Sequence, residues 1–293
     1  MRVGIGLPTR AGAITGDRLL AWAERADRGP FSSLAVMDRV VHDAPEPLIA
    51  LASVVGVARR IRLLTSVVLA PTRETTLLAR QAASLDALSG GRLTLGVAIG
   101  VREDDYAATG QRFDRRGRRL DAQLPELRRI WSGAPYTAGG GVIGPAPARA
   151  GGPELLIGGY VPAVARRIAA WGDGFMAPGG GEPAAMRALW EAIERAWADA
   201  GRAGRPRWVS GSYYALGPDA DSAADAYIAA SYRFDRALAE RRRRTLPTTP
   251  AAVREALARQ AEMGVDEFVL RPCAADDAHF AGLAEIVEQT ARV

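Results

Sequence analysis

The sequence predicts a closed parallel (β/α)8 barrel occupying residues 1–293 as one domain. Two observations predict it. Eight short apolar runs, each followed by an amphipathic helical stretch, fit within 293 residues, which is the alternation of a parallel sheet covered by helices. The rival arrangement, an open doubly wound sheet, uses Gly-x-Gly-x-x-Gly between its first strand and helix. Here Gly4-Ile5-Gly6 lies inside the strand and no glycine stands at the next required place. In a barrel, chemistry sits on the loops that leave the C-terminal strand ends.

Val3 to Leu7 is the first predicted strand. Thr15-Gly16-Asp17 opens a helix with Leu19, Leu20, Ala23 and Ala26 on its apolar stripe, and Gly29-Pro30 ends it. Phe31 to Met37 forms strand two and delivers Asp38, Arg39 and His42 into a loop. Glu46-Pro47 starts the next helix. Ile61 to Leu69 is a β-branched third strand, followed by a helix from Thr76 to Leu88 that Gly90-Gly91 stops. Leu93 to Ala98 is strand four, with a charged loop (Arg102 to Tyr106) and then a helix from about Arg115 to Trp131. Residues 133–153, rich in Gly, Pro and Ala, read as a surface excursion because the alternation resumes after them. Leu155 to Ile157 is strand five, with a helix from Pro162 to Trp171; Gly174 to Met176 is strand six, with a helix opened by Glu182-Pro183. Trp208 to Leu216 is strand seven, and one of Tyr213 and Tyr214 is expected to face the mouth. Residues 221–244 read as helical, Thr249-Pro250 opens another helix, Glu267 to Leu270 is strand eight, and a closing helix runs from Asp277 to Arg292.

Composition narrows the function. No run approaches the ~20 apolar residues of a membrane span, and MRVGIGLPT enters a strand without a signal-like segment. A cytoplasmic location and no membrane partner are the expectation. A single cysteine, Cys273, excludes an internal disulfide and a cysteine-based zinc site; it reads as buried filler. No metal site is expected. All 38 basic residues are arginine, which excludes lysine Schiff bases and the lysine of a phosphate-binding nucleotide loop. The net charge of +5 raises nucleic acid, but the clusters Arg115–Arg119 and Arg241–Arg244 lack interleaved aromatics. They read as solvated helix faces, and no nucleic-acid partner is expected.

The segment Ser84-Leu85-Asp86-Ala87-Leu88-Ser89-Gly90-Gly91-Arg92, with Leu95-Gly96-Val97, Gly100 and Phe113-Asp114-Arg115-Arg116-Gly117-Arg118, resembles the signature of the bacterial-luciferase-like flavin oxidoreductases. A second match is Leu156-Ile157-Gly158-Gly159-Tyr160-Val161-Pro162-Ala163, ending in Trp171-Gly172-Asp173-Gly174-Phe175. It is similar to the family's phosphate loop. Independently, two glycines before a helix opened by Pro162 leave free backbone N–H groups at a positive helix end, which suits a phosphomonoester.

The resemblance implies a barrel that binds FMN or the deazaflavin F-420 on its C-terminal face, with a small organic molecule as substrate. Reduced FMN implies monooxygenation; F-420 implies hydride transfer. Asp38 stands in the acidic place of the family's active-site pair. Arg39 stands where many members have a proton-transferring histidine, and arginine cannot shuttle protons; His42 is a nearby substitute. That departure also keeps open a non-catalytic, flavin-binding relative. In LTSVVLAPT the family's cis peptide bond would join Ser66 to Val67, beside Thr65. Ala98, Gly100 and Arg102 would line the ring edge and the phosphate tail, with Gly158, Gly159, Tyr160 and Val161 around the phosphate. The loop Ala177-Pro178-Gly179-Gly180-Gly181 has glycine where sugar-phosphate dehydrogenases of the family place a lysine, so a phosphorylated sugar is not implied. Members commonly pair through barrel helices, so a homodimer is possible.

Overall fold

The computed structural model describes residues 1–11, 15–179 and 182–290. Gly180 and Gly181 of the glycine loop, and the predicted helix end at Arg292, lie outside the described residues. Eight parallel strands close in chain order: β1 (Arg2–Gly6), β2 (Ser33–Val36), β3 (Arg62–Leu69), β4 (Leu93–Ala98), β5 (Glu154–Gly158), β6 (Gly174–Met176), β7 (Arg207–Tyr214) and β8 (Glu267–Pro272). β8 returns to β1 with Val3 opposite Phe268. This is the predicted (β/α)8 barrel.

Its outer ring is α1 (Gly16–Arg28), α2 (Pro47–Val54), α3 (Thr75–Leu88), α4 (Glu103–Ala108), α5 (Arg116–Trp131), α6 (Ala163–Trp171), α7 (Pro183–Asp199), α8 (Ala220–Tyr232), α9 (Arg236–Arg244), α10 (Pro250–Glu262) and α11 (Asp277–Thr290). Side chains cap several of these where the sequence places an acceptor before the helix. Glu46 accepts from Ile49 N at 2.7 Å, Glu74 from Leu77 N at 2.8 Å and Thr249 from Ala252 N at 3.2 Å. The segment from Asp86 onward ends α3 as predicted, with Gly90 at φ 65° and Gly91 at φ 79°. Asp86 itself is fully buried and accepts from Ala148 N at 2.9 Å. It thereby pins the excursion between α5 and β5 to the body of the barrel.

Two expectations are corrected. The charged loop after β4 is largely helical, because Glu103, Asp104 and Asp105 fall in the first turn of α4, where the helix dipole favours carboxylates. The single helix expected over 221–244 is two helices. The chain breaks at Arg233-Phe234-Asp235, and Asp235 caps α9 by accepting from Leu238 N at 2.9 Å.

The barrel interior is stacked in three layers, as period-two alternation along strands requires. At the N-terminal end the layer is charged. Arg62 donates to Thr94 Oγ1 at 2.8 Å, Thr94 donates to Glu154 at 2.7 Å, and Arg207 bridges Glu154 and Glu267. The middle layer is apolar: Ala35, Leu64, Leu156, Met176, Val209 and Val269, with Val67 against it. Above it, Met37, Ser66, Gly158, Gly211 and Arg271, each two residues on from a middle-layer position, lie toward the C-terminal mouth, with Ala98 at the end of β4 and Tyr213 four residues on from Val209.

Candidate functional site at the C-terminal mouth

On the β3–β5 side the mouth floor carries only small side chains. A Cβ added to Gly158 would sit 3.0 Å from Met176 O, 3.4 Å from the Ala98 methyl and 3.5 Å from Val67 Cγ1. Ala98, Val67 and Gly158 are therefore neighbours across three strands. The Ser66–Val67 peptide bond is cis, at the place the resemblance implies. The β3–β4 ladder shifts register between Thr65 and Val68. Thr65 Oγ1 fills that irregularity, donating to Gly96 O and accepting from Gly96 N, both at 2.9 Å. Thr65 is fully buried. It is thus a sheet residue, and the expectation that it touches a coenzyme is corrected. Ser66 Oγ accepts from Arg271, whose side chain crosses the floor above Gly211.

The glycine corner follows β5. Gly159 has φ 149°, and a Cβ there would lie 2.8 Å from Val164 Cγ2, so both conformation and space call for glycine. Helix α6 begins directly after Pro162 and has no side-chain cap. Val164 N and Ala165 N are used within the first turn, donating to Val161 O at 2.9 Å and Pro162 O at 3.1 Å, so the N–H groups this end can offer a ligand are those ahead of them at the corner. Tyr160 and Val161 are exposed on the same corner, and the Tyr160 hydroxyl accepts from Arg242 Nη2 at 3.0 Å.

The residues after β2 reach the mouth with other duties than an Asp–Arg pair. Asp38 accepts from Leu69 N and from Arg73 Nη2, each at 2.9 Å, which ties the loop to the end of β3. Burial pushes its carboxyl above the usual range, against the pull of Arg73 and the Leu69 N–H. Arg39 pairs instead with Asp105, Nε to Oδ2 at 2.7 Å, while Asp105 Oδ1 accepts from Val40 N and Val41 N at 3.0 and 2.9 Å. One buried carboxylate thus holds the whole 39–41 segment against α4. His42 is half-buried rather than solvent-facing, and its Nε2 accepts from Arg10 Nε at 3.2 Å. That contact leaves the ring proton on Nδ1.

Burial, and then the Arg10 cation, hold His42 below its ordinary value. The chain has two histidines, so an NMR titration resolves them. His42 should titrate below about 6.5, the unperturbed value, and Arg10→Ala should move it upward. A titration at or above that value would mean that Arg10 does not donate to it. Because the folded value is depressed, the unfolded chain takes up this proton first. His42 therefore makes the fold less stable as pH falls through 6.5 toward the folded value.

The loop after β4 carries Gly100 at φ 65°, where a Cβ would meet Leu69 Cδ2 at 2.9 Å. Arg102 forks onto Asp104, Nε to Oδ1 at 2.8 Å, and its guanidinium lies 4.2 Å from the Phe234 ring centroid. A phosphate would have to displace that pair. Phe234, at the break between α8 and α9, also lies 6.0 Å from Arg39, so this hairpin spans the β2 and β4 loops. At the end of β7, Tyr213 faces the mouth, its hydroxyl 2.7 Å from that of Tyr232. Tyr214 is buried among the helices and donates to His279 O. Cys273 is buried filler, as expected, and burial pushes its thiol up to about 12. Arg10, Arg242, Arg271 and Phe234 belong to this mouth and carry no motif. The signals for them were the Glu267-Val269-Arg271 alternation and Asp235 as a helix-opening residue.

A family model described as luciferase-like monooxygenase matches residues 1–292. The chain belongs to this family. Its relatives include an uncharacterized protein of Mycobacterium tuberculosis, 33% identical over 164 residues, which are 54% of this chain and 56% of that one. The chain spans about half the length of the curated relatives it matches. The oxygenase component of a flavin-dependent trigonelline monooxygenase of Acinetobacter baylyi is 29% identical over 122 residues, 40% of this chain and 34% of that protein. Among solved structures, a monooxygenase of Streptomyces bottropensis superposes with TM-score 0.77 at 23% identity, covering 100% of this chain and 98% of that one. An F-420-dependent secondary alcohol dehydrogenase superposes with TM-score 0.77 at 16% identity, covering 98% of each chain. Proteins similar to this chain thus include a flavin-dependent monooxygenase component, and its fold is shared with an F-420-dependent dehydrogenase. Among the described residues, no helix is long and apolar enough to cross a membrane.

Proposed function

We propose that the chain is a flavin-dependent oxidoreductase that monooxygenates a small organic substrate with reduced FMN. The observation that carries it is the Gly158-Gly159 corner beside the uncapped start of α6, opening onto a mouth floor made of Ala98, Gly158 and Val67. The chain's residues fit such a coenzyme. The corner's N–H groups would hold its phosphate, and a planar ring would lie over the small side chains of Ala98 and Val67 beside Gly158. Gly100 and Ala98 would border the ring, and Tyr160 and Val161 would flank the phosphate. Bound there, FMN would supply oxygen activation, whereas F-420 would supply hydride transfer.

The protein's own part is to position and to shield. Ser66, Arg271 and Tyr213 present polar groups to the floor, while Phe234 and the α8–α9 hairpin cover one side. Asp38 positions the loop through Arg73 and Leu69. Arg39 cannot move a proton, and the His42 acceptor nitrogen is occupied by Arg10.

Equilibrium dialysis against FMN and F-420, followed by oxygen uptake with each reduced coenzyme, tests the reading. FMN retention with substrate-dependent oxygen uptake is expected. F-420 retention alone makes the chain a hydride-transfer enzyme, and FMN retention without turnover makes it a non-catalytic relative. Retention of neither removes the coenzyme altogether. Arg39→Ala should lower turnover while coenzyme affinity holds. It should also cost roughly 1.5–3 kcal/mol of stability, because a charge-assisted bond to buried Asp105 is lost. Equal turnover in both proteins would make Arg39 a bystander.

A further inference from the structure

On the β8–β1 side of the mouth, four strands round the closed barrel from β5, two guanidinium groups lie without a counter-charge. Arg10, in the loop after β1, donates from Nε to His42 Nε2 and from Nη2 to Ser231 Oγ, both at 3.2 Å, and its Nη1 lies 3.9 Å from Met37 Sδ. Arg271 donates to Ser66 Oγ, and its Nε is buried without a partner. Among the described residues no carboxylate comes within 4.0 Å of either group. The segments outside them contain no Asp or Glu. Both side chains line one small cavity with Leu7, Met37 and Tyr227. The Tyr227 ring lines it and packs 5.0 Å from the Tyr213 ring, with Arg10 5.8 Å from the Tyr227 centroid and Arg271 5.9 Å from that of Tyr213.

Other half-buried arginines take carboxylates, as Arg39 takes Asp105 and Arg73 takes Asp38 and Glu46, or backbone carbonyls, as Arg92 takes Ser89 O and Ile61 O and Arg119 takes Pro71 O; Arg10 and Arg271 take neither among the described residues. A half-buried cation without a counter-charge is unfavourable, and burial presses Arg271 below the usual guanidinium value. The other groups facing the corner do not cancel the charge. His42 is held neutral, Ser66, Ser231 and the tyrosines are hydroxyls, and Arg242 on the far side of Tyr232 adds a third cation.

We infer that this corner is the substrate's anion subsite, where Arg10 and Arg271 take the carboxylate of an organic acid. A planar carboxylate matches a guanidinium fork in a way an amide does not. A phosphomonoester finds its backbone N–H groups at the β5 corner, not here. The inference deepens the coenzyme reading and rests on it only in making the acid the molecule that is oxidised.

Equilibrium dialysis of the full chain with labelled benzoate, benzamide and phenyl phosphate, with and without FMN, tests it. Benzoate should bind roughly tenfold or more tightly than benzamide, the factor a charge-assisted hydrogen bond brings. Arg10→Gln should erase that preference while FMN retention and the melting temperature hold. Arg10→Lys, which keeps the charge without the fork, should fall between. Equal retention of benzoate and benzamide, including retention of neither, overturns the subsite. So does tighter phenyl phosphate than benzoate, or an Arg10→Gln variant that loses FMN instead of benzoate. A benzoate preference in a protein that retains no coenzyme would sink the coenzyme reading alone.

Discussion

Gly159→Leu should weaken coenzyme binding about a hundredfold or more, the equivalent of two charge-assisted N–H bonds at about 1.5 kcal/mol each. The fold should survive. Gly159 has φ 149°, and a leucine in that region stores on the order of 1–3 kcal/mol. Its Cβ would press on a Val164 methyl at 2.8 Å, the far end of a side chain that can turn. The strain lies at the surface corner, so cooperative melting should persist with a transition a few degrees lower. The added side chain, by contrast, stands at the corner whose N–H groups, ahead of the bonded Val164 N and Ala165 N, would meet the phosphate. Fluorescence titration with FMN and F-420, beside a circular-dichroism melt, separates the two effects, and Gly159→Ala should give a smaller loss of the same kind. Unchanged affinity in a folded Gly159→Leu protein would mean that the phosphate goes elsewhere, and the three mouth arginines would be the next place to look.

The fold was legible because its signals are local. Several helix starts carry a capping side chain (Thr15, Glu46, Glu74, Asp235 and Thr249) and the strands are short apolar runs, so eight units could be counted without knowing how they close. Gly158, Gly159 and Ala98 were legible for the same reason: a glycine or alanine at a strand end limits what can project there. What stayed hidden depends on contacts between distant segments. Arg39 finds Asp105 across 66 residues and Asp38 finds Arg73 across 35, so neither partner could be read from the loop itself. Arg271 was missed because strand eight was ended at Leu270, whereas Arg271 and Pro272 continue the ladder opposite Tyr213 and Tyr214. Two further residues of strand turn a presumed loop arginine into a mouth residue. Thr65 shows the converse. Its neighbour Ser66 reaches the mouth, but the period-two alternation sends the Thr65 hydroxyl into the sheet.

The stacked interior gives a second large effect, far from the mouth. Glu267 is fully buried at the N-terminal end of the barrel, where it accepts from Ser32 Oγ and pairs with Arg207, itself only 13% exposed. Glu267→Ala strips Arg207 of one of two carboxylates and the Ser32 hydroxyl of one of two acceptors, Val3 O at 2.9 Å being the other. Stranding a buried charge costs about 3–5 kcal/mol; Arg207 keeps Glu154, so the loss is that of a charge-assisted bond and a cavity, about 3 kcal/mol. Against a total stability of roughly 5–15 kcal/mol, that is a large fraction, and the melting temperature should fall by about 10 °C. The double change Glu267→Leu with Arg207→Met removes both charges together and should recover more than half of the loss. Glu154 keeps Arg62 at 3.4 Å and the Thr94 hydroxyl at 2.7 Å, so it is not stranded in turn. Coenzyme affinity should be the same in all of these proteins below their transitions. The apolar layer of Leu64, Leu156, Val209 and Val269 lies between the charged plug and the mouth, and offers no polar group through which the loss could be passed on. A melting temperature unmoved by Glu267→Ala would show that water reaches Arg207 from the open end and that the plug is not dry. A coenzyme affinity that falls with it would show that the middle layer does not insulate one end of the barrel from the other.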